Sequence, residues 1–447
     1  MASRYLQHTM PFEGSSSDAV AITNHGNSLE VEDRAFHNWY RFVLSFPPHL
    51  VRDYLNAFDL DEKAVILDPF CGTGTTVVEA KLGRIRAIGV EANPFPHFAA
   101  SVKVDWSINP AELREIVEAV AEATIKVLRS QGIDDVTLSI SPDTELWSLP
   151  SVAARALIKD SISPIPLHKT LVLLEQLGHY RNSPVYRHCL LALGRALVNE
   201  IGNLRFGPEV GVGKIKRDVP VVLSWKSVAL RMGEDLSAIQ GMSFPAADVH
   251  LADARNLQGL LPDNSIDAVI TSPPYPNEKD YTRTTRLESV ILGFFSSMSD
   301  LRMHKKRLLR SNTRGVYKSD DDDTWIRTNR RVQQIADMIE ARRVELGKTS
   351  GFEKLYPRVV RLYFGGMARH LAEMTPVLRE GANLAYVVGD QASYLRVMIR
   401  TGEILAEIAE EIGYQVQRID LFRTRFATAT QEELREEVVV LRWPGKA

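Results

Sequence analysis

Short apolar runs closed by turn residues alternate along this chain with stretches whose apolar positions recur at helical spacing, and that alternation predicts an α/β fold. Val65, Ile66 and Leu67 read as a strand buried on both faces, ended by Asp68 and Pro69. Val77 to Leu82 reads as a helix, and Ala87 to Val90 as a second strand ending at Glu91. Val249 to Ala252 and Ala268 to Ile270 repeat the strand pattern, closed by Asp253 and by Thr271. A helix over Arg361 to Leu378, a strand over Asn383 to Val388 and a helix over Val397 to Ile412 follow. Tyr414 to Arg425 and Glu437 to Trp443 alternate over long spans, which predicts antiparallel pairing at a sheet edge. Before the first strand, Pro47 and Pro48 precede a helix with Leu50, Tyr54, Leu55 and Phe58 near one face.

The alternation breaks between residues 108 and 240. Ala111 to Gln131, Leu167 to Leu177 and Val185 to Ile201 read as helices, and residues 203–220 as a basic, glycine-punctuated loop. The organisation expected is a flexible, polar arm at 1–30, a core at 31–107 and 241–447 that carries an inserted loop region at 276–355, and a mainly helical insertion at 108–240.

Composition changes the picture in three ways. A hydrophobic share of 45% and a charged share of 25% over 447 residues are ordinary for a large globular core. The net charge of −2 means that any attraction to nucleic acid comes from local patches. Two cysteines, Cys71 and Cys189, exclude a disulfide framework and a cysteine-rich zinc site. No apolar run is long enough to span a bilayer and the first residues lack a signal peptide's apolar core, so a cytoplasmic protein without a membrane partner is expected.

Two turns carry candidate chemistry. After the first strand, Gly72 and Gly74 let the backbone bend tightly and approach a ligand, and Thr73, Thr75 and Thr76 can cap the next helix, whose first N–H groups favour an anion. Val77 stands where a dinucleotide fingerprint has its third glycine, which counts against NAD. Glu91, at a strand end about twenty residues further on, suits a ribose diol because a carboxylate accepts from both hydroxyls; Asn93 and Pro94 would border an adenine. The second turn is Thr271, Ser272, Pro273, Pro274 and Tyr275. Its prolines hold the backbone rigid, so that a hydroxyl, carbonyls and an aromatic ring are presented together to a flat polar ring. Beyond it, Arg302 to Lys318 is a basic run with no acid, the best candidate for contact with phosphates. The four aspartates from Asp320 to Asp323 would repel DNA, and are expected to lie away from it or to mark a mobile loop.

DPFCGTGTT followed by TSPPY resembles the amino-methylating DNA methyltransferases that use S-adenosylmethionine, and TSPPY is similar to the motif of their cytosine-N4 branch. The resemblance implies a Rossmann-like seven-stranded sheet, mostly parallel with an antiparallel edge strand. It implies S-adenosylmethionine held by Phe46, Pro47, Asp68, Phe70, Gly72, Gly74, Thr75, Thr76, Glu91, Asn93 and Asp253, with Asp253 on the adenine amino group. Ser272, Pro273, Pro274 and Tyr275 would carry catalysis on a cytosine flipped out of double-stranded DNA, and no metal is needed. Arg283, Lys305, Lys306, Arg307, Arg310 and Arg314 are the expected DNA contacts. A homodimer and a paired restriction endonuclease stay open as protein partners. So do three other readings: an adenine-N6 DNA enzyme, a tRNA guanine-N2 methyltransferase, and a DNA-binding module that has lost catalysis.

Overall fold

The computed structural model describes residues 29–42, 45–141, 144–207, 209–427 and 432–445. The arm expected at 1–30 lies outside them but for its last two residues. Seven strands form one sheet: β1 (Val65–Asp68), β2 (Arg86–Glu91), β3 (Ala247–Leu251), β4 (Ile266–Thr271), β5 (Leu378–Gly389), β6 (Gln415–Ala427) and β7 (Glu432–Arg442). Across the sheet they run β3, β2, β1, β4, β5, β7, β6. The first five are parallel neighbours, and β7 lies antiparallel between β5 and β6. This is a Rossmann-like, mostly parallel sheet with antiparallel pairing towards one edge.

Helices of the described residues include α1 (Pro48–Ala57), α2 (Thr75–Leu82), α3 (Pro94–Lys103), α4 (Pro110–Ser130), α5 (Pro164–Gly178), α6 (Tyr186–Ala196), α7 (Val221–Ala238), α8 (Tyr356–Met374) and α9 (Thr401–Ile412). Proline opens α1, α3, α4 and α5, where its missing N–H costs nothing, and Asn109 caps α4 by accepting from the Ala111 amide at 2.9 Å. Strand alternation sends Ile66 and Ala87 to one face of the sheet and Leu67 and Ile88 to the other. On the first face they join one apolar cluster with Val117, Leu173 and Trp225, so the core of the helical insertion is continuous with that of the sheet. On the second face Leu67 and Val269 pack with Tyr363 and Phe364 of α8 and Leu405 of α9.

Several boundaries differ from the periodicity: the last helix begins at Thr401 and not Val397, the last strand at Glu432 and not Glu437, and two other differences have a visible cause. The helix expected to reach Leu378 stops at Met374, because Pro376 disfavours helical backbone before it. Leu378 instead starts β5 by pairing with Ile266, ahead of a register shift that brings Asn383 opposite Ala268. The helix expected over 185–201 ends as an α-helix at Ala196 and widens into a π turn over Leu197–Ile201. Among the described residues no helix is long and apolar enough to cross a membrane.

Candidate active site

Chain order reverses direction across the sheet between β1 and β4, and a crevice outside the carboxyl ends of such strands is where ligands bind in open α/β sheets. The glycine turn leaves the end of β1 and the proline turn leaves the end of β4. A cleft of about 320 Å³ opens there, and Gly72, Thr75, Glu91 and Asn93 line it together with Ser272, Pro273, Pro274 and Tyr275. Two stretches about two hundred residues apart in sequence thus share one site.

Phe46, Phe70 and Asp253 also line the cleft. Glu91 accepts from the Gly72 amide (3.0 Å) and from the Asn93 amide (2.7 Å), which fixes its carboxyl at the floor of the turn. Burial pushes that carboxyl up to about 7, against the pull of the same amides. Asn93 is buried, donates to Thr285 Oγ1 at 3.3 Å, and leaves its Oδ1 without a partner among the described residues. An orphaned amide oxygen and a carboxyl on one wall suit the adenosine of S-adenosylmethionine, which offers an amine and two hydroxyls as donors. Asp253 accepts both Arg255 Nε (3.0 Å) and Arg255 Nη2 (2.7 Å).

Four residues expected at the cofactor stand behind the cleft wall instead. Pro47 is buried as the cap of α1. Gly74 takes φ +85° at the start of α2, where a side-chain carbon would meet Ala100 and Val77 at 3.0 Å; it is needed for packing. Thr76 donates to the Ile270 carbonyl at 3.0 Å. Asp68 is fully buried and accepts from Thr271 Oγ1 at 2.6 Å, so it braces one turn against the other, and burial pushes its carboxyl up to about 6.

In the proline turn, Ser272 Oγ donates to the Val387 carbonyl of β5 at 3.1 Å. With its hydrogen directed there, the oxygen keeps lone pairs as acceptors. The Tyr275 amide donates to the Tyr281 hydroxyl at 3.1 Å, and Tyr281 stacks on Phe42 with ring centroids 6.2 Å apart. Burial raises the Tyr275 phenol above its usual range, so the ring is neutral at any working pH.

The basic run divides. Arg310 is 4% exposed, and its guanidinium donates to both Asp320 oxygens at 2.9 Å and to the carbonyls of Lys305, Lys306 and Leu308. It is an interior clamp, and the expectation that it touches DNA is corrected. Two of the four aspartates are likewise interior partners: Asp320 holds Arg310, and Asp322 pairs with Arg255. Lys305 lines the cleft and pairs with Asp280 at 2.5 Å. Arg283 and Arg314 both approach Glu209 of the helical insertion, at 3.7 and 3.5 Å. Lys306 and Arg307 are exposed and have no carboxylate partner among the described residues.

The motifs did not mark Lys103, His370 or the C-terminal hairpin. Lys103 is buried under the glycine turn and donates to the Thr73 carbonyl at 2.8 Å; burial, with Arg41 nearby, brings its ammonium down to about 7. A lone lysine ending the apolar helix α3 was the available signal. His370, held between the Ala254 carbonyl and the Tyr386 hydroxyl at 2.8 Å each, backs Phe70 edge-on at 4.8 Å. Burial lowers it to about 4, so it is neutral. The hairpin brings Phe422, Arg423, Arg425 and Glu436 to the cleft.

A family model described as DNA methylase, of the N6/N4 kind, matches residues 20–99, a span that holds the glycine turn and Glu91 but ends before Ser272. The chain is 26% identical over 430 residues to the type II methyltransferase M.BsoBI of Geobacillus stearothermophilus, covering 90% of this chain and 83% of that protein. It is 24% identical over 416 residues to the type II methyltransferase M.AvaI of Nostoc sp., covering 89% and 82%. A solved modification subunit of a putative type I restriction enzyme from Vibrio vulnificus YJ016 aligns at 11% identity over 89% of this chain and 44% of that one, with a TM-score of 0.28, too distant to add to the sheet order. The likeness to type II methyltransferases therefore extends along the chain, and the match to the N6/N4 DNA methylase model covers the part that holds the glycine turn.

Proposed function

We infer that this chain is a DNA methyltransferase of the N6/N4 kind, and we propose that it transfers the methyl group of S-adenosylmethionine to N4 of cytosine in duplex DNA. The observation that carries the reading is the meeting of the glycine and proline turns in one cleft. S-adenosylmethionine, when bound, supplies a methyl group already activated by its sulfonium. The chain supplies position, which is most of what remains. Glu91 accepts the ribose hydroxyls, Asn93 and Asp253 border the adenine, and Phe46 and Phe70 pack on the apolar parts.

The amine of cytosine is a poor nucleophile because its lone pair is delocalised into the ring. Ser272 Oγ and the Pro273 carbonyl accept its two hydrogens and draw the nitrogen towards tetrahedral geometry. Tyr275 stacks on the base after it leaves the duplex. An N–H is exchanged for N–CH3, and the proton leaves to water. Lys306 and Arg307 contact phosphates at the mouth. Acting on DNA, the enzyme works in the cytoplasm, and by analogy with the type II relatives it protects that DNA from a paired restriction endonuclease.

The test is DNA from cells expressing the protein, digested to nucleosides and weighed, then sequenced for modified positions. N4-methylcytosine is expected. N6-methyladenine would move the assignment to the adenine branch, and methyl transfer to tRNA alone would end the DNA reading.

Two further outcomes check the site. Ionised Glu91 is the form that accepts ribose hydroxyls, and its carboxyl sits at about 7. S-adenosylmethionine affinity should therefore rise about tenfold from pH 6 to pH 8 by calorimetry, and stay level in Glu91→Gln. Stability runs the other way: a carboxyl raised above its unfolded value contributes fully below that value, and the contribution is lost as pH rises through about 7. For DNA, Lys306→Ala and Arg307→Ala should each lower the slope of log affinity against log salt by about one. Arg310→Ala should leave that slope and lower stability; a changed slope would return Arg310 to the interface.

A further inference from the structure

The cleft is lined by a cation, Arg423, whose surroundings suit the pairing edge of the target base. β6 and β7 pair with Leu421 opposite Glu437 and Arg423 opposite Glu436, so Phe422 is an extra residue, a bulge. Regular alternation would send Phe422 and Arg423 to opposite faces; the bulge re-aims the strand, and both reach the cleft. Glu436 also stands opposite Gly389 of β5. A carbon added at Gly389 would lie 2.9 Å from Tyr275 Cε2 and 3.3 Å from Glu436 Cγ, so the ring of Tyr275 and the stem of Glu436 meet there. Glu436 Oε2 holds Arg423 through Nε and Nη2, both at 2.7 Å. Arg423 remains 27% exposed, and its Nη1 has no hydrogen-bond partner among the described residues.

We propose that Arg423 reads the flipped cytosine, donating to its N3 and O2 while Ser272 and Pro273 hold its N4. The inference rests on the cytosine reading above and names the group that selects it. The pairing edge of cytosine offers an amine followed by two adjacent acceptors. Guanine meets those acceptors with two parallel N–H groups, and a guanidinium presents the same fork. Adenine offers an amine, one acceptor and then a C–H, so one arm of the fork would face carbon. A donor left unmet in a closed pocket disfavours adenine by about 10- to 100-fold. Glu436 is a positioning residue here, since it fixes the plane of the guanidinium.

The experiment uses the full chain, labelled S-adenosylmethionine, and duplexes carrying the mapped site with cytosine or with 3-deazacytosine, in which N3 is a C–H. Wild type should lose about 30- to 100-fold in kcat/KM on the analogue. Arg423→Lys keeps the charge beside Glu436 without the fork. It should lose a similar factor on cytosine and less than about threefold more on the analogue, with S-adenosylmethionine affinity unchanged. Comparing the two proteins cancels any change in the intrinsic reactivity of the amine. Equal losses on the analogue for wild type and Arg423→Lys would overturn the role of Arg423 and leave cytosine methylation standing. A wild type that methylates no cytosine would overturn the cytosine reading and this inference together.

Discussion

Tyr275→Ala should lower methyl transfer to DNA by about five- to hundredfold while S-adenosylmethionine binds as before. That range is the loss of one base stack, worth roughly 1–3 kcal/mol. The effect falls on DNA because the Tyr275 ring belongs to the β4 side of the cleft, whereas Gly72, Glu91 and Asn93 form the β1 and β2 side. Ser272→Ala should cost kcat more than KM, since its oxygen accepts from the amine chiefly as the nitrogen changes geometry. Single-turnover transfer and equilibrium dialysis with labelled cofactor separate the two effects. If both variants methylate DNA at the normal rate, the proline turn is structural and the chemistry lies elsewhere.

Arg255→Ala should cost about 3–5 kcal/mol of stability and weaken S-adenosylmethionine binding in whatever remains folded. Arg255 is 7% exposed and stands between Asp253 on the cleft and Asp322 in the interior. Removing it leaves the buried Asp322 carboxylate without that partner, with Arg369 at 3.4 Å as the remaining cation. The surroundings leave little room for relaxation: a carbon added at Gly365 of α8 would fall 2.0 Å from the Asp322 carbonyl oxygen, so helix and loop already touch. The comparison is Arg331→Ala, whose pairs with Glu403 and Glu407 are half exposed and should be worth no more than about 1 kcal/mol. Urea denaturation reads both. A loss for Arg255→Ala no larger than that for Arg331→Ala would mean that the loop detaches without cost and that Asp253 is held by other means.

The sequence by itself determined the sheet, most of the helices that flank it and the two turns that line the cleft, but not the helices Val221–Ala238 and Arg330–Glu345. These features are local: a buried parallel strand is a short apolar run, and ligand-binding groups at its end follow it without a break. Gly72, Glu91, Ser272 and Tyr275 were legible for that reason, and Pro376 alone would have ended α8 where the structure ends it. Tertiary structure decided what depends on a distant partner. Arg310 reads as one charge in a basic run, and its burial is set by Asp320 and a ring of carbonyls. Asp68 reads as a ligand, and Thr271 of another strand makes it a brace. Arg423 became a cleft residue through a bulge measured against β7, and a count along one strand cannot contain that register. Desolvation and pairing are properties of two groups brought together, so the fate of a charge is written in the fold and not in its neighbours along the chain.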